Sequence, residues 1–315
     1  MRFVIDAGEA GVRLDKLLSA KLEGVGRTAV KRLFIEGRVR MGPEGSSPRR
    51  AAKGDVASQG FVVEVDIETT NASAVADPEA PLEVVLETPQ LLVLEKPAGM
   101  PTAPLAPGEK GSLANALVAR YPEVACCGFS PREPGLCHRL DTETSGLVLA
   151  ARTVEAFETL TTALREGRLD KRYWLLVSSD GLPEAGTIDI PLAPHPKDRR
   201  RVLACTHPRD VERESPRPAT TTWTKVREHA GIALVEARAP KALRHQIRAH
   251  FAAIGHPLLG DALYGGDTTC GLTRHALHAC RIAWGGDARV PAFTASSALP
   301  EELERLLRDD VEPTA

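Results

Sequence analysis

The sequence lacks several features that would each have settled a function class. Its six cysteines (Cys126, Cys127, Cys137, Cys205, Cys270 and Cys280) include no CxxC pair, so no redox or zinc-ribbon motif is written here and reduced thiols are expected. No apolar run approaches the length of about 20 residues that a membrane span needs, and the N-terminus carries nothing like a signal peptide. The expectation is a cytoplasmic protein with no membrane partner. Neither a GxGxxG nor a P-loop pattern occurs, so nothing announces a dinucleotide or nucleoside triphosphate site. Net basic charge is also missing: 40 Lys and Arg stand against 42 Asp and Glu, a formal charge of -2. That balance would exclude a nucleic-acid binder only if the charge were spread evenly.

It is not. Between residues 13 and 53 there are eleven basic residues and four acids (Asp15, Glu23, Glu36, Glu44), a local excess of seven positive charges. Leu14, Leu17, Leu18 and Leu22 recur at helical spacing, as do Val30, Leu33 and Phe34, and Lys31 and Arg32 then fall off the apolar stripe. Gly37 ends the second helix and 61–65 reads as a closing strand. Residues 1–68 are therefore expected to form a small basic unit, 69–80 a linker with an acidic flank, and 81–315 one larger domain. At 315 residues and 43% hydrophobic content, the chain can bury a substantial core.

In the larger domain, 82–86 and 91–94 read as short strands that lead into Glu95-Lys96-Pro97-Ala98-Gly99-Met100-Pro101. Lys96 is either a phosphate contact or a surface lysine at a strand end. The stretch 138–146, HRLDTETSG, precedes the apolar run Leu147–Ala151. An acid at such a turn-to-strand junction, Asp141, can be held rigidly with its head in a cleft, or can merely cap the turn. Thr153 is a plausible N-cap for a helix ending at Gly167. Lys171 and Tyr173 sit on the next strand, where a tyrosine is ordinarily a packing residue. The stretch 181–222 is Pro-rich with little periodicity. Within it Lys197, Arg199, Arg200 and Arg201 crowd five positions, a phosphate-contacting or simply solvated loop, and 210–218 is expected to be mobile. Leu243, Ile247, Phe251 and Ile254 mark a helix that ends at Gly255, with Arg244 and Arg248 one turn apart on a flanking face. His275, His278 and Cys280 lack a metal-site spacing, so no metal is expected.

HRLDTETSGLVLAA resembles the catalytic motif of the RluA-type pseudouridine synthases. So, in the family's order, do LEKPAGMPT, the K-x-Y of Lys171 and Tyr173, His195-Pro196-Lys197-Asp198-Arg199, HQIRAHF with GHPLLGDALYGG, and Arg274-His275-Ala276-Leu277-His278-Ala279. RLDKLL, GRTAVKRLFIEGRVR and KGD are similar to an S4 RNA-binding domain. The resemblance implies an α+β fold: a central mixed, mostly antiparallel β-sheet catalytic domain with a small N-terminal S4-like module. It makes Asp141 the catalytic residue, Tyr173 the active-site aromatic and Arg248 the catalytic-site arginine. Arg139 is then expected to fill the gap left by an extruded base. Lys171, Arg244, Lys96, Arg199 and Arg200, with Arg27, Lys31 and Arg32 of the first unit, become candidate RNA contacts.

The implied activity isomerises uridine to pseudouridine, without cofactor or metal, in a monomer whose partner is RNA. Large-subunit ribosomal RNA is the expected target, because family members with an S4-like domain mostly modify it. The alternatives are a tRNA-specific synthase, a catalytically silent RNA-binding or ribosome-assembly protein, and a hydrolase built on Ser145. No G-x-S-x-G surrounds that serine.

Overall fold

A computed structural model describes residues 1–22, 27–66 and 73–308. The side chains of Arg27, Thr28 and Ala29 are not described, so the expected Arg27 contact lies outside the described residues. The chain divides into two compact units, one comprising Met1–Ala74 with Leu105–Gly108 and Ser130–Arg132, the other everything else.

The first unit contains β1 (Arg2–Val4), α1 (Leu14–Lys21), α2 (Arg27–Ile35), β2 (Val39–Pro43), β3 (Arg49–Arg50) and β4 (Phe61–Val65). Its antiparallel sheet runs β1-β4-β2-β3. The leucines of α1 and Val30, Leu33 and Phe34 of α2 pack on Val39, Met41, Val63 and Val65, because their 3.6-residue repeat puts them all on one side. Lys31 and Arg32 are left exposed, and Arg32 pairs with Glu36 one turn on. Arg50 donates to the carbonyl of Ile35 at 2.7 Å, closing an end of α2 that would otherwise leave carbonyls unbonded.

The second unit holds β5 (Glu83–Glu87), β6 (Leu91–Lys96), α3 (Leu113–Arg120), β7 (Ser145–Ala151), α4 (Val154–Glu166), β8 (Asp170–Ser178), β9 (Ala185–Asp189), β10 (Leu192–Pro194), β11 (Val202–Ala204), α5 (Pro208–Glu214), β12 (Thr220–His229), β13 (Ile232–Arg238), α6 (Gln246–Ala253), β14 (Leu277–Trp284), β15 (Phe293–Ser296) and α7 (Glu301–Glu304). Its main sheet runs β5-β6-β7-β14-β8-β13-β12-β9, with β15 also on β14. Every pairing is antiparallel except β7 with β14. This is the mixed, mostly antiparallel α+β architecture expected.

Strand β7 is buried at all seven positions, which is why its sequence is a continuous apolar run and not an alternation. Helix α4 packs Ala156, Leu160, Ala163 and Leu164 onto Leu147, Leu149 and Ala151. Its N-cap Thr153 accepts from Ala156 N at 3.2 Å and its C-cap Gly167 has φ +76°, as expected. Where β7 meets β14, Gly146 has φ +110°, and a Cβ there would lie 2.3 Å from the Ala279 carbonyl oxygen. Only glycine admits this approach.

Some elements differ from expectation. Val75 and Asp77, placed in the linker, bond to Asn115 and Gly111 of the second unit; 69–72 lie outside the described residues. The stretch 181–222 contains β9, β10, β11 and α5, which pair short segments whose periodicity is too brief to read. Helix α5 occupies part of the segment expected to be mobile.

Candidate active site

Asp141 stands in the turn ahead of β7, and nearly every polar group of that turn is tied down from behind. Thr144 N donates to Asp141 O at 3.0 Å. Lys96 Nζ donates to Thr142 O at 2.9 Å, and Arg274 Nη1 to Glu143 O at 3.1 Å. Thr144 Oγ1 bonds His275 Nε2 at 2.7 Å, and Ser145 Oγ bonds His278 Nδ1 at 2.9 Å. A carboxylate at the apex of such a turn is positioned before any ligand arrives.

The carboxylate meets the first turn of α6. Arg248 Nη1 donates to Asp141 Oδ2 at 3.0 Å, while its Nε and Nη2 form a two-bond fork with Asp261 at 2.7 and 2.9 Å. Burial works against the Arg248 cation, but Asp261 and then Asp141 outweigh it and hold the guanidinium above its usual range. His245 Nε2 also faces Oδ2, at 3.6 Å. Among the described residues Oδ1 takes no hydrogen bond, so one oxygen is anchored and the other is free.

His245 adopts φ +53°, a left-handed conformation that a non-glycine residue holds only under tertiary constraint. Its Nδ1 lies 3.0 Å from the Tyr264 hydroxyl, which accepts from Val202 N at 2.8 Å. The tyrosine proton has two outlets, and Nδ1 is nearer than Val202 O at 3.4 Å. Burial, the largest cause, pushes the His245 pKa below the usual value. His245, Asp261 and Tyr264 are site residues that sequence reasoning missed, although all lie inside the HQIRAHF and GHPLLGDALYGG segments.

Tyr173 lies on β8 opposite Ala237 of β13 and Ala279 of β14, and is 5% exposed at the edge of the apolar cluster that includes Ile247 and Phe251. Burial, then Cys280 and Asp141, raise its phenol well above the usual range. Its hydroxyl makes no hydrogen bond among the described residues. Asp141 and Arg248 meet directly, and the Asp141 charge is felt at Tyr173.

The expected RNA contacts divide. Lys96 is 0% exposed and donates to Pro97 O, Met100 O and Thr142 O at 2.7–2.9 Å, so it is neither a phosphate contact nor a surface lysine. Three carbonyls replace its water, and burial pulls its pKa down to about 8. Lys171 is buried beside Tyr173 on the same strand face, lowered to about 8 by burial, and likewise presents nothing to the surface. Arg244 does not point with Arg248. It precedes α6, because His245 breaks the helical register, and it donates to the carbonyls of Arg199 and Arg200 at 3.0 and 2.8 Å. Arg199 and Arg200 are exposed, the latter paired with Asp198. Arg139 is exposed beside Glu133 at 3.1 Å. A cavity of about 550 Å³ lined by Glu83, Glu95 and Glu302 contains none of the three central residues, and its carboxylates would repel phosphate. No helix among the described residues is long and apolar enough to cross a membrane.

Residues 90–253 match the family model described as RNA pseudouridylate synthase. The chain is 31% identical to a ribosomal large subunit pseudouridine synthase D of Xanthomonas campestris, across 98% of this chain and 92% of that one. It is 34% identical to an RNA pseudouridine synthase of Chloroflexus aurantiacus, across 97% and 92%. In fold it is similar to human RNA pseudouridylate synthase domain containing 1, with a TM-score of 0.53 at 22% identity over 72% of this chain and 93% of that structure. The matched residues 90–253 include the Asp141 turn, the Tyr173 strand and Arg248, and with them the chain belongs to the RNA pseudouridylate synthase family, as an isomerase acting on RNA.

Proposed function

We propose that this enzyme isomerises uridines of large-subunit ribosomal RNA, with Asp141 as its catalytic group, Arg248 as the cation that holds it and Tyr173 as the ring that receives the base. Relatives named as ribosomal large subunit synthases align with it over about nine-tenths of their length. The observation that carries the catalytic reading is the asymmetry of Asp141: Oδ2 is anchored by Arg248 and Oδ1 is free to meet a ribose.

Uridine and pseudouridine contain the same atoms. The C1′–N1 bond breaks, the uracil turns, C1′–C5 forms, C5 loses a proton and N1 gains one. The uridine must first leave its stack, at a cost of a few kcal/mol that is least in loops and single strands. Arg139, exposed and paired among the described residues with Glu133, can swing into the vacated position. Asp141 Oδ1 then acts at the sugar, either on C1′ or by drawing a neighbouring proton. Tyr173 stacks on the detached base, and its unbonded hydroxyl serves the C5 proton directly or through water. In this reading the first unit is an S4-like module whose exposed Lys31 and Arg32 meet phosphate, with Arg199 and Arg200 doing so in the second. The enzyme works in the cytoplasm as a monomer without metal.

The test is to map pseudouridines in the ribosomal and transfer RNA of a deletion strain complemented with wild-type protein or D141N. The expected result is loss of one or more large-subunit sites, restored by wild type alone, while D141N still binds RNA. Sites lost only from tRNA would overturn the ribosomal target. Full restoration by D141N would overturn the catalytic assignment.

A further inference from the structure

Tyr264 lies between two guanidinium groups: Arg248 Cζ is 5.1 Å from its ring centroid and Arg201 Cζ is 5.4 Å. The ring is held from three directions. Its hydroxyl bonds Val202 N, His245 meets it edge-on at 5.8 Å, and its own backbone N donates to Asp261 Oδ1 at 3.3 Å. Because Val202 follows Arg201 directly, the hydrogen bond to Val202 fixes where Arg201 begins, and the ring face fixes where its guanidinium rests.

The two arginines differ in what completes them. Arg248 has Asp261 and Asp141. Arg201 has the ring and nothing else: its Nε is buried without a hydrogen-bond partner, and no carboxylate lies within ion-pairing distance among the described residues. Its neighbours are provided for, Arg200 by Asp198 and Arg244 by two carbonyls. A partly buried donor without an acceptor costs stability, and a second cation on the ring that already carries Arg248 adds repulsion. Among the described residues the ring is thus the guanidinium's one favourable contact, and its buried Nε is left without an acceptor. Its planar fork of donors is the shape that takes a phosphate through two bonds. Together Asp141, Asp261, Arg248 and Arg201 are electrically neutral; without Arg201 the cluster is anionic and would repel an RNA strand.

We propose that Arg201, seated on Tyr264, binds a phosphodiester group of the RNA beside the uridine being isomerised. This rests on the reading of the enzyme as a synthase of large-subunit ribosomal RNA. Tyr264 thereby links the subsite to Arg248, because both guanidinium groups rest against the same ring.

The experiment compares wild type, R201Q and R201K on a large-subunit ribosomal RNA transcript. Affinity is measured across a salt series, and thermal unfolding without RNA. R201Q is expected to bind about 10-fold more weakly, with the slope of log affinity against log salt flatter by roughly 0.7–0.9, one phosphate's worth. Its Tm is expected to be unchanged or higher, since an unpaired cation has been removed. R201K should recover the slope but not the full affinity. Unchanged affinity or an unchanged slope in R201Q overturns the phosphate contact, as does a lowered Tm with binding intact, which would make Arg201 a structural charge. Wild-type protein that converts tRNA and not this transcript overturns the ribosomal reading instead, and the same measurements on that tRNA then decide Arg201.

Discussion

Asp141 and Arg248 are 107 residues apart in the chain and meet through one hydrogen bond of 3.0 Å, while Asp261 accepts from both remaining nitrogens of the same guanidinium. Asp261 thus acts on the Asp141 carboxylate at one remove. It fixes the plane of the guanidinium, and the plane fixes where Nη1 can reach.

Asp261 is 2% exposed and bonded to Arg248 twice. D261N retains the shape but leaves a buried cation with one carboxylate fewer, at a cost of about 3 kcal/mol. We expect Tm to fall by several degrees and kcat by about 100-fold, with KM changed much less. D261N with wild-type kcat would show that Arg248 needs no second holder.

Tyr173 makes no hydrogen bond through its hydroxyl, so Y173F should leave Tm unchanged or raise it slightly. If the hydroxyl serves the C5 proton, kcat falls by about 10²–10⁴-fold while the ring still stacks and KM holds. Single-turnover assays with C5-tritiated RNA measure this step directly. Tritium release at the wild-type rate would reduce Tyr173 to a stacking platform.

Lys96 supports the Asp141 turn from behind, 0% exposed and bonded to three carbonyls. K96M removes the donor shared by Pro97, Met100 and Thr142 carbonyls, and each orphaned carbonyl costs about 1–3 kcal/mol. The expected result is a large loss of Tm and of kcat together, with the salt dependence of RNA binding unaltered. A flatter salt slope would instead place Lys96 on phosphate.

Acid should unfold the enzyme through His275 and His278. Burial, first among the causes, lowers them to about 3 and about 4 from an ordinary 6.5. The unfolded chain therefore binds protons that the folded one refuses. Their contribution is complete above pH 6.5 and is lost as the pH falls toward the folded values, at up to ~1.4 kcal/mol per pH unit for each. Denaturant unfolding at pH 7, 6 and 5 should show H278Q with a slope shallower by one proton. Curves that run parallel would mean His278 takes its proton without cost in the fold.

The elements easiest to read were those with repeated local signals. Leucines at 14, 17 and 18 announce α1, Thr153 and Gly167 bracket α4, and the run at 147–151 announces a strand buried on both faces. Asp141, Tyr173 and Arg248 were legible as a set because each lies in a segment whose order along the chain resembles the family's. The lysines were misread for a physical reason. Lys96 and Lys171 are charged residues that the fold buries, and charge in a sequence ordinarily signals water or phosphate. Nothing local says that three carbonyls will converge on Lys96.

The order of residues along the chain already carried the reaction class and the α+β architecture through the segments that resemble the RluA-type family, while periodicity and turn chemistry placed the helices and the acid at the turn. Only folding decided which oxygen of Asp141 is free, that His245 stands 3.6 Å from the other, that Arg244 and Arg248 part ways, and that Tyr264 joins Arg201 to Arg248. Each of these is a meeting of segments distant in sequence, set by packing and hydrogen bonding across the sheet and helix α6, and distance in space is not written in the spacing of residues.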